Sequence, residues 1–209
     1  MHDGDAIEVI DSAAQHFHAS IQIEGPKVSA TLMTMLQRPK HNAPRVTIAQ
    51  GVPKGQKMDF IVEKLTELGV ADIIPLQSER TIVTDVSANK LERWRRLAKT
   101  AAQQCGRSEI PSIEEPIAFD RLLTQFKDYD RVLLPWELVE YVPLRVRLPD
   151  LMRSVAHTLV VIGPEGGFSH AEAQAAQNAG AQLISLGPRI LRTETAGLLV
   201  LAVLGYICE

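Results

Sequence analysis

The chain has little that would lock it covalently or carry it into a membrane. Of 209 residues only Cys105 and Cys208 are cysteines, too few for a disulfide framework, and such usage favours a reducing, cytoplasmic setting. No apolar run reaches the roughly 18 residues of a membrane span. The most apolar stretch, residues 196–208, falls short of that, and the N-terminus is polar and acidic with no signal segment. Neither sign of charge dominates: the formal net charge is −3, so any RNA contact has to come from local patches. The common ligand signatures are also missing. No G-x-G-x-x-G follows a strand, and Gly51-Val52-Pro53-Lys54-Gly55-Gln56-Lys57-Met58 lacks the Gly-Lys-Ser/Thr ending of a phosphate loop. There is no C-x-x-C, H-x-x-x-H or G-x-S-x-G. His16 and His18 can share one strand face, but two histidines alone make a poor metal site, and no metal is expected.

What is present is enough apolar residue, 45% of the chain, for a well-filled core. Residues 6–10, 17–23 and 27–33 alternate at period two, with a turn at Glu24-Gly25-Pro26, and read as strands. Three strands without helices do not close a stable unit, so they read as part of a small β-barrel. Residues 38–44 are polar and proline-bounded, as a linker would be. Beyond them strands and helices alternate. Strands are expected at 46–49, 70–76, 131–135, 158–162 and 183–186, and helices at 54–68, 87–104, 148–156, 169–180 and 194–206. Gly69 is the expected left-handed stop of the first helix, and Ser169 with Glu172 forms a capping box. Alternation of this kind predicts a mainly parallel sheet covered on both faces. The domains are expected at residues 1–42 and 43–209.

Two apolar runs end in loops of unusual composition. Gly163-Pro164-Glu165-Gly166-Gly167-Phe168 combines a stiffened turn with glycines that permit close backbone approach, and it ends at a helix N-terminus whose free N–H groups can meet polar atoms. By itself it is equally a tight strand-to-helix connection. Gly187-Pro188-Arg189-Ile190-Leu191-Arg192-Thr193-Glu194-Thr195 gathers two arginines, a carboxylate and two hydroxyls at the mouth of an almost wholly apolar helix. That helix has to be buried, in the core or against a partner subunit. Such a charge cluster points to a site. A third feature is basic: Lys90, Arg93, Arg95, Arg96, Lys99 and Arg107. They are either a solvated helix surface or a phosphate-contacting one.

At these residues the chain resembles the ribosomal RNA small subunit methyltransferase E family of the SPOUT (α/β-knot) superfamily. The resemblance runs from about residue 45 to 209, and weakly through the strands before. It is carried by Ile162-Gly163-Pro164-Glu165-Gly166-Gly167 and Leu186-Gly187-Pro188-Arg189-Ile190-Leu191-Arg192-Thr193-Glu194-Thr195-Ala196. Lys54-Gly55-Gln56-Lys57-Met58-Asp59-Phe60, Glu63-Lys64-Leu65-Thr66-Glu67-Leu68-Gly69-Val70, Ser78-Glu79-Arg80 and Gln104-Cys105-Gly106-Arg107 support it. It implies a C-terminal trefoil knot, a homodimer through the knot region and last helix, and methylation of N3 of a uridine in 16S ribosomal RNA of the small subunit by S-adenosylmethionine.

The same resemblance implies a cofactor site of Leu134, Pro135, Trp136, Ile162, Gly163, Pro164, Glu165, Gly166, Gly167, Leu186, Gly187, Leu191, Arg192, Thr195 and Ala196. Arg192, Glu194 and Glu165 are its catalytic candidates, the carboxylates as proton acceptors, although Glu194 can equally serve its own helix N-terminus. Lys54, Lys57, Arg80, Arg93, Arg96, Lys99, Arg107 and Arg189 are the expected RNA contacts. Relatives open with a complete PUA-like barrel, of which only a part is expected here, and Gln103 stands where they carry Glu. The competing readings are a noncatalytic RNA-binding or ribosome-assembly protein, a SPOUT enzyme for another ribosomal or transfer RNA position, and a generic nucleotide-binding α/β domain.

Overall fold

The computed structural model describes residues 2–11, 15–37, 44–83 and 85–208. Apart from Pro44, the expected linker lies outside them. The chain forms two compact units, Met1–His41 with Gly106–Glu109, and Asn42–Cys105 with Ile110–Glu209.

The first unit is a three-stranded antiparallel sheet of β1 (Ala6–Ile10), β2 (His16–Glu24) and β3 (Lys27–Leu36), in that order. Ala19 and Ile21 of β2 are buried, and the His16 ring nitrogen Nδ1 lies 2.6 Å from Glu8 Oε1. The sheet does not close, so the barrel expected from the sequence is seen only as an open sheet. Alternation predicts one buried face on β3, yet every residue of it but Leu36 is exposed. The period of a strand records its pleat, whereas burial needs a covering layer that the pattern cannot supply.

The second unit is the mainly parallel α/β structure that the alternation predicts. Its strands are β4 (Arg45–Gly51), β5 (Asp72–Gln77), β6 (Ser112–Ile113), β7 (Ile117–Ala118), β8 (Arg131–Pro135), β9 (His157–Ile162) and β10 (Gln182–Ile184). They lie in the order β10-β8-β9-β4-β5-β6, with β7 also on β5, and every pairing is parallel. Both faces are covered, which is why the central strands read as unbroken apolar runs. On one side α1 (Lys57–Glu67), α2 (Ala88–Cys105) and α6 (Thr193–Cys208) pack Met58, Ile61, Leu65, Trp94, Val200 and Leu204 against the sheet. On the other, α3 (Phe119–Leu123) and α5 (His170–Asn178) bury Phe119, Leu122 and Ala176 with Leu159 and Val161.

Local signals account for most boundaries. Gly69 and Gly180 adopt φ of +93° and +104° just past α1 and α5, and the capping box of Ser169 and Glu172 is fully formed. Two expectations change. The first helix begins at Lys57, because residues 54–56 form a turn with Gly55 at φ +66°. The helix expected at 148–156 is α4 (Leu144–Leu151), with Pro149 inside it. Pro149 removes one backbone donor, and the helix ends two residues later. Leu148, fully buried, anchors it.

Candidate active site

The carboxyl ends of four neighbouring strands, β10, β8, β9 and β4, carry the loops that the sequence singles out. In open α/β sheets this is the edge where ligands bind. After β9, residues 163–168 form a tight turn closed by the Gly167 N–H donating to Pro164 O at 2.9 Å, with Gly167 at φ +64°. After β10, residues 185–192 lead into α6, with Gly187 at φ +120° and open space where a Cβ would stand. After β8, the backbone N–H of Trp136 donates to Ile184 O at 2.9 Å, tying that strand end to β10.

The two loops meet. The Thr193 hydroxyl donates to Gly163 O, and the same hydroxyl accepts from Gln50 Nε2 at 2.8 Å. Gly51, at the end of β4, lies so close to the first loop that a Cβ there would fall 2.4 Å from Pro164 N. On the outer side, Arg80 Nη1 donates to Gly166 O at 2.9 Å, and a Cβ on Gly166 would sit 3.0 Å from Arg80 Cβ. The Ser78-Glu79-Arg80 segment is itself held by the Glu79 N–H donating to the buried Glu172 carboxylate at 2.8 Å.

The charged groups converge on Lys57. Its ammonium donates to Glu165 Oε1 at 3.0 Å and stands 3.7 Å from Glu194 Oε2, while Arg192 Nη1 is 3.9 Å from Glu194 Oε1. Glu165 Oε1 also accepts from the Lys54 N–H at 3.1 Å. Burial pushes the Glu165 carboxyl up, but the bonds from Lys57 and from backbone N–H groups outweigh it and hold it below its ordinary value. The same hydrogen bond raises Lys57. Glu194 differs: its Oε2 is buried and accepts no hydrogen bond. Two more orphaned atoms, Gln50 Oε1 and Trp136 Nε1, belong to residues at the ends of β4 and β8.

The remaining expected residues are dispersed. Leu134 and Ile162 are buried in the core, and Pro135, Leu186, Leu191 and Ala196 are half-buried. Thr195, Arg189 and Arg192 are exposed, and Ile190 at the tip of the second loop is 87% exposed. Of the cations on α2, Arg93 pairs with Asp59, whereas Arg96 and Lys99 are exposed. Arg107 is half-buried in the segment that groups with the first unit. Sequence reasoning missed Gln50 and Gly51. The one signal for them was the false phosphate loop, whose glycine spacing marks a backbone under close approach.

A cavity of about 460 Å³ lies at the opposite, amino-terminal edge of the sheet. It is lined by Thr47, Asp72, Glu114, Arg121 and Tyr129 among others, and by none of the loop residues.

Residues 40–205 match the model of the RNA methyltransferase domain. The chain is 34% identical to ribosomal RNA small subunit methyltransferase E of Bacillus subtilis, across all of this chain and 84% of that protein. It is 32% identical to the enzyme of the same name from Synechocystis, over 99% of this chain and 67% of that one. The structure is similar to that of ribosomal RNA small subunit methyltransferase E from Neisseria gonorrhoeae bound to S-adenosylmethionine, with a TM-score of 0.85 at 28% identity, covering 99% of this chain and 84% of that one. The chain belongs to the ribosomal RNA small subunit methyltransferase E family.

Proposed function

We propose that this protein transfers a methyl group from S-adenosylmethionine to N3 of a uridine in 16S ribosomal RNA, using the edge formed by the loops after β8, β9 and β10. The observation that carries this reading is the junction of the two loops through Thr193 and Gly163, with a charged cluster at its mouth. The donor set suits an adenosine-containing ligand. Backbone groups of a glycine-rich turn, the orphaned indole Nε1–H of Trp136 and the open side of Gly187 offer polar contacts and room. The loops of the family form a trefoil knot, and that threading belongs to this proposal.

When bound, the cofactor supplies a methyl group already activated by the sulfonium charge. The chain's own residues position the base and manage its proton. Uridine N3 carries a proton at neutral pH, so the site needs a proton acceptor and a donor for the charge that develops on the uracil oxygens. Of the two carboxylates, Glu165 is spent on Lys57 and Lys54. Glu194 keeps an oxygen without a hydrogen bond and is the better acceptor. Arg192, 83% exposed at its side chain, is free to reach a substrate and stabilise charge on the base. Arg189, Arg96 and Lys99 offer phosphate contacts.

The homodimer is also part of the reading. Helix α6 buries Val200, Leu201 and Leu204 but leaves Ala202 and Tyr206 exposed along an otherwise apolar helix, a stripe that a second copy would cover. The open sheet of the first unit is proposed as the PUA-like RNA-docking part. Among the described residues no helix is long and apolar enough to cross a membrane, in keeping with a cytoplasmic enzyme.

Mass mapping of ribosomal RNA from a strain lacking this gene, before and after treatment with purified protein and S-adenosylmethionine, tests the assignment. One methyl group gained on a uridine of the small-subunit RNA is expected. An unchanged RNA, or methylation of a ribose or transfer RNA, would overturn it.

A further inference from the structure

Gln50 is fully buried near the end of β4 and reaches a partner far away in sequence. Its Nε2 donates to Gly51 O at 3.0 Å and to Thr193 Oγ1 at 2.8 Å, across 143 residues of chain. The direction of every proton in this cluster is determined. Gly51 O can only accept, so the amide face turned to it must be the NH₂ group. Gly163 O can only accept, so the single Thr193 proton goes there, and the hydroxyl lone pair takes the Gln50 N–H. The result is a one-way chain from Gln50 through Thr193 to Gly163 that joins the end of β4, the first turn of α6 and the mouth of the first loop.

The arrangement leaves Gln50 Oε1 buried without a partner. An orphaned buried carbonyl is destabilising, and an apolar side chain of similar length would avoid it. Helix α6 packs directly against the amide: a Cβ on Gly197 would sit 3.4 Å from Gln50 Oε1, in ordinary contact. A residue that filled space alone would be better apolar; a residue that had to orient a hydroxyl would not.

We propose that Gln50 is a positioning residue: its carboxamide aims the Thr193 hydroxyl at Gly163 O and so holds the two loops in the register that grips the methyl donor. This rests on the cofactor reading above. Gln50 is fully buried and acts through Thr193.

The test measures S-adenosylmethionine affinity by calorimetry and the thermal midpoint on the same full-length variants. Gln50→Met keeps length and removes the orphaned oxygen. Its midpoint is expected within about 3 °C of the unaltered chain or above it, while cofactor Kd rises about tenfold. Gln50→Glu, able only to accept, draws the Thr193 proton away from Gly163 and is expected to weaken binding at least as much. Thr193→Val is expected to raise Kd about tenfold, with Thr193→Ser restoring it to within about twofold. Unaltered cofactor affinity in Gln50→Met or Thr193→Val would overturn the proposal, as would a loss of affinity in Gln50→Met matched by a fall in its midpoint. Absence of binding by the unaltered chain would overturn the cofactor reading itself and the proposal with it.

Discussion

The two edges of the parallel sheet are built on opposite plans. At the amino-terminal edge carboxylates gather several hydrogen bonds each, although Arg131 Nε at the start of β8 is buried without a partner. Asp72 accepts from Arg45 through both Nε and Nη2, from Thr47 and from Ser112, and Asp130 accepts from the backbone N–H groups of Ala156 and His157. At the carboxyl edge backbones approach so closely that Gly51 tolerates no side chain, a Cβ on Gly166 would crowd Arg80, and buried atoms of Gln50, Trp136 and Glu194 have no hydrogen-bond partner. The cavity of about 460 Å³ lies at the amino-terminal edge. Space alone therefore does not mark a site here. Unmet hydrogen-bonding capacity beside constrained backbone does, because a ligand can complete it.

The sharpest way to break this contrast is at the proposed chemistry. Arg192→Ala and Glu194→Gln are each expected to lower turnover by about a hundredfold or more while leaving cofactor affinity within a few-fold. Glu165→Gln should lower turnover far less than Glu194→Gln. Single-turnover rates with calorimetry separate the two carboxylates, and equal losses would erase the distinction drawn from their hydrogen bonds.

Next in size is Gly51→Ala. A Cβ so close to Pro164 N forces the first loop to shift, with an expected loss of about 1–3 kcal/mol in stability and a clear loss of cofactor binding. Asp72→Ala is the matched change at the other edge. It leaves Arg45 without its acceptor, while Ser112 keeps Glu114 Oε1 at 2.7 Å and Thr47 keeps the His157 ring at 3.0 Å; it is expected to cost about 1–3 kcal/mol, yet to leave cofactor affinity unchanged. Denaturant titration and calorimetry on this pair test whether the edges are separable. An affinity loss in Asp72→Ala would show that they are not.

The smallest effect is a pH dependence. His157 is held below its ordinary value, first by burial and then by the Arg45 charge. The unfolded chain therefore binds this proton more readily than the folded one. The contribution is fully present above the unfolded value near 6.5 and is lost as pH falls through the folded value. Thermal midpoints should drop as pH falls below about 6.5, and less so in His157→Gln. An equal drop in both would remove His157 from the account.

Much of this architecture could be read from residues alone where the signal was local. The apolar runs of β4, β9 and α6, the glycine stops at Gly69 and Gly180 and the capping box of Ser169 placed most of the second unit. Residues 106–130 have no sustained period, and the short strands and turns there went unseen. The site was half legible for the same reason. Its two loops announce themselves by composition, but Gln50 and Gly51 act through contacts across more than half the chain, which no window on the sequence contains. Lys57 reads as a phosphate-binding cation, and only the fold brings it between Glu165 and Glu194.

Hydrogen exchange with and without millimolar S-adenosylmethionine tests the central claim most directly. Slowed exchange across residues 163–168 and 186–196, with residues 45–47, 72 and 157 unchanged, is the expected result. Protection at the amino-terminal edge instead, or none anywhere, would contradict the assignment of the site to the carboxyl ends of β8, β9 and β10.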